Sequence, residues 1–292
     1  MPKTAFVRVR KKENMLKSGE IQKLIVSRFT DNGAYLIDTE ENEVLLPNRY
    51  VAENQQIGNE VEVFLYHDSE DRLVASTDMP FIIIGEVALL ECVDISAFGA
   101  FLDWGLPKDL FIPISNQAVN MEVGRWYLVY AYRDNLTDRI VASAKLGKFI
   151  RNDEISVKVG QEVEIVIGHE SDLGYRVIID NKHWGMIYHN QIFREVKVGE
   201  ITTAYITRIT EDNRIDVSLT RIGFGQVEDA AARLTELLEA AGGVLELGDK
   251  SSPEQVYTQT QMSKKMFKRG VGNLLKEGKI EISDFSIKLV KK

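Results

Sequence analysis

Four landmarks recur three times along this 292-residue chain at nearly fixed offsets. A glycine opening a short apolar strand stands at Gly19-Glu20-Ile21, at Gly85-Glu86-Val87 and, more loosely, at Gly160-Gln161-Glu162-Val163. A strand glycine follows at Gly33, Gly99 and Gly174, and an aliphatic-glycine pair at Ile57-Gly58, Val123-Gly124 and Val198-Gly199. An arginine then opens the last strand at Arg72, Arg139 and Arg214. The landmarks shift by 66 or 67 residues from the first copy to the second, and by 75 from the second to the third. Self-similarity of this kind fixes the architecture before any residue-level reading. The chain must fold as a row of small similar domains, not around one large core.

Each copy reads as β. Val61, Val63 and Leu65, then Val163, Ile165 and Ile167, then Ile215, Val217 and Leu219 follow the period of two that marks strands. Turn signals separate them at Asp31-Asn32-Gly33, Asp68-Ser69-Glu70-Asp71, Asp134-Asn135 and Asp212-Asn213. Five short strands in about 65 residues suit a Greek-key barrel of the oligonucleotide-binding (OB) type.

After Gln226 the period changes to that of a helix. Val227, Ala230, Ala231, Leu234, Leu237 and Leu238 share one face, and Gly242-Gly243 ends it. Ser252 is placed to cap a second helix, with Pro253 at its first position and Gln255 closing a capping box. Ser263 caps a third helix that runs to about Glu277 and stops at Gly278. Alternating segments over 279–282 and 285–289 complete the order of a winged helix-turn-helix. The predicted fold is therefore mainly β with a C-terminal α+β domain: three tandem five-stranded OB-fold barrels, then a winged helix-turn-helix. The expected domains are a basic, disordered N-terminal arm (1–17), barrels over 18–80, 81–150 and 151–225, and the winged helix over 226–292.

Charge divides along the same line. The net charge is −8, with residues 1–225 at −9 and residues 250–292 at +6. An acidic body thus carries a basic tail, and the distribution matters more than the sum for a nucleic-acid partner. The single cysteine, Cys92, excludes a disulfide framework within the chain and a thiolate zinc cluster. The apolar runs over 81–84 and 87–90 are far short of the roughly 20 residues that cross a bilayer. No apolar stretch follows the basic N-terminus, so we expect a cytoplasmic protein without a membrane partner. Neither a HExxH nor a GxxxxGK[ST] motif is present and the four histidines are scattered, so the sequence points away from an enzyme and to no cofactor or metal.

The second copy, with Phe98-Gly99-Ala100-Phe101-Leu102, Leu110-Phe111-Ile112-Pro113-Ile114-Ser115 and Arg139-Ile140-Val141-Ala142-Ser143, resembles the RNA-binding domain of the ribosomal-protein-S-one type. In that family two phenylalanines, a histidine, a late aspartate and the arginine contact RNA. The resemblance implies RNA-binding roles for Phe98, Phe101, Asp134 and Arg139, with Pro113 in place of the histidine. In the first copy it implies Tyr35, Asp68 and Arg72, and in the third Tyr188 and Arg214. Such residue types suit the task. Aromatic rings on a β-surface stack on any base, at about 1–3 kcal/mol each, and arginine adds phosphate contact or stacking. Under strict alternation Phe98 and Phe101 face opposite ways, and a bulge at Gly99 would bring them together.

Lys264, Lys265, Lys268 and Arg269 mark a basic face on the third predicted helix, a second candidate surface for nucleic acid. The run Ser251-Ser252-Pro253-Glu254, Met262 to Arg269 and Leu275 to Ile280 resembles the C-terminal signature of the conserved virulence factor B family, which combines three such barrels with a winged helix. That resemblance implies a non-enzymatic bacterial regulator that binds single-stranded RNA and acts after transcription, on virulence factors in some members. Two other classes stay open at this point: a DNA-binding transcriptional regulator working through the winged helix, and a protein-interaction scaffold.

Overall fold

The computed structural model describes residues 16–192, 194–220 and 227–290. All but the last two residues of the predicted N-terminal arm lie outside them, as does Gln226. The chain divides after Leu146 into two compact units.

In the first unit, β1 (Ile21–Thr30), β2 (Gly33–Ile37), β3 (Glu43–Pro47), β4 (Glu60–His67) and β5 (Leu73–Ser76) close a barrel in the order β1-β2-β3-β5-β4. Every ladder is antiparallel except β3 with β5, where Leu45 pairs with Val74. A bulge between Val26 and Arg28 bends β1 so that it serves both β2 and β4. Leu24, Val26, Leu36, Leu46, Val63 and Leu65 fill the interior.

The second barrel follows with β6 (Val87–Ile95), β7 (Gly99–Leu102), β8 (Leu110–Pro113), β9 (Trp126–Arg133) and β10 (Ile140–Ser143). Its sheet runs β10-β9-β6-β7-β8, and its two end strands lie against each other.

The repeat's strand glycines share one physical cause. A Cβ on Gly33, Gly99 or Gly174 would stand 2.1, 2.3 or 1.9 Å from the carbonyl oxygen of Leu46, Ile112 or Ile187 on the next strand. Only hydrogen fits there. Each barrel is closed at that point by backbone approaching backbone.

One strand departs from simple alternation. Val63 and Leu65 of β4 point into the first barrel, but Phe64 and Tyr66, on its outer side, are buried as well. They belong to the core of the second barrel, where the Trp104 ring stands edge-on to Phe64 at 5.8 Å and 83°. A strand apolar on both faces is one covered on both faces. The linker is docked too: Phe81 N–H donates to the Trp104 carbonyl (2.8 Å), Ile82 is buried, and the Arg133 guanidinium donates to the Ser18 carbonyl. The first two barrels therefore form one body.

In the second unit β11 (Glu162–Ser171), β12 (Gly174–Ile179), β13 (His183–Tyr188), β14 (Ile201–Ile209) and β15 (Ile215–Ser218) close a barrel of the same order, with β13 and β15 parallel. Then come α1 (Val227–Ala240), β16 (Val244–Leu245), α2 (Pro253–Thr260), α3 (Lys264–Lys276), β17 (Ile280–Ile282) and β18 (Ile287–Leu289). The predicted hairpin is a three-stranded sheet, because Val244 and Leu245 pair with Lys288 and Ile287.

Ser252 Oγ accepts from Gln255 N–H (3.1 Å) and Gln255 Oε1 accepts from Ser252 N–H (2.8 Å), which completes the capping box. Ser263 Oγ accepts from Met266 N–H at the start of α3. Leu234 and Leu238 of α1 pack on Phe267, Val271 and Leu274 of α3. Gly270 marks the crossing of the two helices, where a Cβ would meet Leu234 Cδ1 at 2.9 Å and backbone of Ala230 at 3.0 Å. Among the described residues no helix is long and apolar enough to cross a membrane.

Candidate nucleic-acid interface

In the second barrel Phe98 is 80% exposed and Phe101 is half-buried, its ring 5.3 Å from that of Phe111 at an angle of 46°. Both phenylalanines line one cleft, without a bulge at Gly99. Gly99 pairs regularly with Pro113, and the irregularity lies across the ladder on β6, between Cys92 and Asp94. Phe98 sits just before β7, where its N–H donates to Ser96 Oγ and the same hydroxyl donates to the Gly99 carbonyl.

The cleft encloses about 310 Å³ and takes part of its wall from the first barrel, at Tyr66 and His67. Arg139 lines it as well, and its Nη2 donates to Asp71 Oδ2 of the first barrel (2.6 Å), a bond that holds the Asp71 carboxyl below its usual range. Sequence reasoning missed Lys108. It lines the same cleft, its Nζ donates to the Asp68 carbonyl (2.7 Å), and burial pushes its ammonium down. The repeat gave no signal for it, because the contact joins two copies.

The late acidic residues hold loops. Asp134 accepts from the N–H groups of Leu136 and Thr137 (3.1 and 2.9 Å) and from the Thr137 hydroxyl, bonds that keep its carboxyl low, with the Thr137 backbone foremost. Asp68 accepts from Arg72 Nε and Nη2 (3.0 and 2.7 Å) and from the N–H groups of Glu70 and Arg72. Burial alone would raise Asp68, but these bonds bring it below the ordinary value. Thr210 takes the equivalent place in the third barrel: its hydroxyl accepts from Arg214 N–H, and its own N–H donates to the Arg214 carbonyl as Asp68 does to Arg72 and Asp134 to Arg139.

The equivalent positions of the other barrels are already engaged. In the first, the Arg28 guanidinium lies 3.7 Å over the Tyr35 ring and donates to Glu43 (2.7 Å). In the third, Arg176 stands where Phe101 stands and lies 3.7 Å over Trp184. Tyr188 donates to Asp216 (3.2 Å), and burial, with that carboxylate, pushes its hydroxyl up. Arg176, Met186, Asp216 and Arg208 are successive cross-strand partners, which places them in one row on one side of the barrel. Arg214 is exposed and paired with Asp212 (2.8 Å). His183, by contrast, is buried, with its ring bonded to Ser156 Oγ and the Arg151 carbonyl.

On α3 the side chains of Lys265 and Arg269 are exposed, Lys264 is half-buried, and Lys268 Nζ pairs with Asp249 (2.8 Å). Among the described residues no group of three or more His, Cys, Asp or Glu is placed to hold a metal ion.

Three five-stranded barrels and a C-terminal winged helix make this a protein assembled from nucleic-acid-binding modules. Residues 18–78 match the S1 domain family and residues 232–289 match the CvfB-like winged helix domain. The chain is a relative of the conserved virulence factor B proteins: it is 25% identical to Conserved virulence factor B of Staphylococcus epidermidis over 254 residues, covering 81% of this chain and 82% of that protein. It is 26% identical to YitL of Bacillus subtilis over 299 residues, covering 96% of each chain. A crystal structure of a multidomain protein with nucleic acid binding domains from Streptococcus pneumoniae is 21% identical, with a TM-score of 0.40, and the match covers 94% of this chain and 98% of that one.

Proposed function

We propose that this protein is a non-enzymatic, cytoplasmic regulator that binds single-stranded RNA and acts after transcription. The observation that carries the reading is the second barrel's cleft, where Phe98, Phe101 and Phe111 stand beside Arg139 and Lys108. Exposed rings beside cations bind unpaired bases with little sequence preference. A B-form duplex has its bases stacked and paired inside and offers no ring to such a cleft. The basic face of α3 supplies the phosphate attraction that the acidic body lacks.

The test is anisotropy of fluorescent single- and double-stranded RNA and DNA titrated with the full chain at two salt concentrations. The reading expects single-stranded RNA to bind most tightly. Preference for duplex DNA of one sequence would make the winged helix the reader and the protein a transcriptional regulator. Absence of any shift at low salt would leave a protein scaffold.

A further inference from the structure

We propose that the cleft between the first and second barrels holds one unstacked nucleobase together with its phosphate, so that the two barrels make a single composite site. The proposal rests on the reading of Phe98 and Phe101 as a stacking platform, and adds to it the first barrel and Lys108.

Shape comes first. About 310 Å³ lies at the lower end of the range of small-ligand pockets. It suits one planar ring system and is too small for a stack of several. A flat platform accepts any base on one face. Here part of the wall is built by Tyr66 and His67, from β4 of the first barrel.

Rigidity comes second. The two barrels share a core through Phe64 and Trp104, and Trp104 is fixed further by its indole N–H, which donates to the Lys108 carbonyl (2.6 Å). Lys108 in turn donates to the Asp68 carbonyl, and Arg139 to Asp71. Each side of the cleft is thus tied to the other before any ligand arrives, which lowers the ordering cost of binding.

Charge comes third. Burial, and after it the Arg139 guanidinium, disfavour the charge on Lys108, within a body whose net charge is negative. The Asp71 carboxylate attracts both, and the Asp68 carboxylate also attracts Lys108. The non-bridging oxygens of a phosphate accept from Lys and Arg as the Asp71 carboxylate does, and a terminal phosphate adds charge, so a phosphate competes for the same two cations. A planar ring carrying a phosphate is the chemistry that satisfies the aromatic walls and the paired cations together.

The experiment uses the full chain. Adenosine 5′-monophosphate and ribose 5-phosphate are titrated by calorimetry, and a short single-stranded RNA carrying one 2-aminopurine is followed by fluorescence. The proposal expects the nucleotide to bind at a single site, ribose 5-phosphate to bind far more weakly, and the 2-aminopurine signal to change on binding. Lys108→Gln should weaken the nucleotide about tenfold, the loss of one charge-assisted hydrogen bond, and Asp71→Asn should strengthen it by removing the competing carboxylate. Thermal melting of each variant confirms folding, and the Asp71→Asn gain cannot arise from unfolding. If a long RNA binds normally while the nucleotide does not bind, or while neither variant moves its affinity, the composite site is wrong and the platform reading stands. If neither long RNA nor nucleotide binds the folded chain, both fall.

Discussion

The guanidinium of Arg28 lies 3.7 Å over the centroid of the Tyr35 ring, at the position that the repeat equates with Phe101. In the second barrel the partner facing Phe101 across the same ladder is Asp94, so the Arg28 that covers Tyr35 has no counterpart at that position. The same fold therefore presents one ring covered by a cation and one that faces a carboxylate across the ladder. Tyr35→Ala should cost little RNA affinity, whereas Phe101→Ala should cost about 1–3 kcal/mol. Anisotropy with single-stranded RNA compares them, and circular dichroism checks the fold, since Phe101 is only half-buried. Equal losses would show that the cover is displaced at no cost.

Gly99→Ala should destabilise the second barrel, because the new methyl group would meet the Ile112 carbonyl oxygen at 2.3 Å and the Phe111 ring at 2.7 Å. Overpacking of this kind costs about 1–3 kcal/mol. Gly147→Ala, where nothing stands within 4 Å and φ lies outside the left-handed region, is the matched control and should fall within about 0.5 kcal/mol of the parent. Denaturant melts of both variants check this. A Gly99→Ala protein as stable as the control would refute the close-approach account of the repeat's central glycine.

The barrels, the helices and their caps were legible because each is written locally. Period-two strands, Gly33 and its equivalents, and Ser252-Pro253 with Gln255 all act within one copy or one helix turn. What joins copies was not. The burial of Phe64 and Tyr66 was visible only as a lapse in alternation on β4, and nothing in the sequence says that Trp104 covers them. Lys108 is separated by 40 residues from the carbonyl it bonds, and Arg139 by 68 from Asp71. The family resemblance placed Asp134 and Asp68 as RNA contacts, but a motif cannot say that a carboxylate is already engaged with its own loop.

Those engaged carboxylates set a pH dependence. Asp71 is held below its ordinary value by Arg139, Asp134 by the Thr137 backbone, and Asp68 by Arg72 against the opposing effect of burial. A depressed value in the folded state means that the ionised form stabilises the fold. The contribution is complete above the unfolded value of about 3.9 and is lost as pH falls through the lower folded values. The melting temperature should stay level from neutral pH down to about 5 and decline below about 4. Asp68→Asn should lower it at neutral pH and converge with the parent in acid. Calorimetric scans across that range test this, and a gap that persists in acid would refute the assignment to the ionised form. Asp109, raised by burial and by Asp103 and Asp94, acts in the opposite sense. Asp109→Asn should therefore stabilise at neutral pH.

In the proposed reading base stacking falls to the second barrel, while the net positive charge lies on residues 250–292, at +6. Two weak sites on one chain raise each other's effective concentration when one strand reaches both. Removing residues beyond Gly225 would cut inside the second compact unit, which holds the third barrel and the winged helix together. Charge reversal in the full chain is the cleaner change. Lys265 and Arg269 are exposed, so their reversal alters charge alone, whereas Lys268→Glu would also set a carboxylate against Asp249. Lys265→Glu with Arg269→Glu should weaken binding of a long unstructured RNA and make the salt dependence shallower by up to about 0.7 in the log–log slope for each phosphate no longer neutralised. Lys264→Glu should add less, its side chain being half-buried. The effect should vanish on an oligonucleotide too short to reach from one site to the other. A salt series with both lengths of RNA measures this. If reversal changes nothing at any salt concentration, α3 does not touch RNA, and the winged helix is left as a surface for protein.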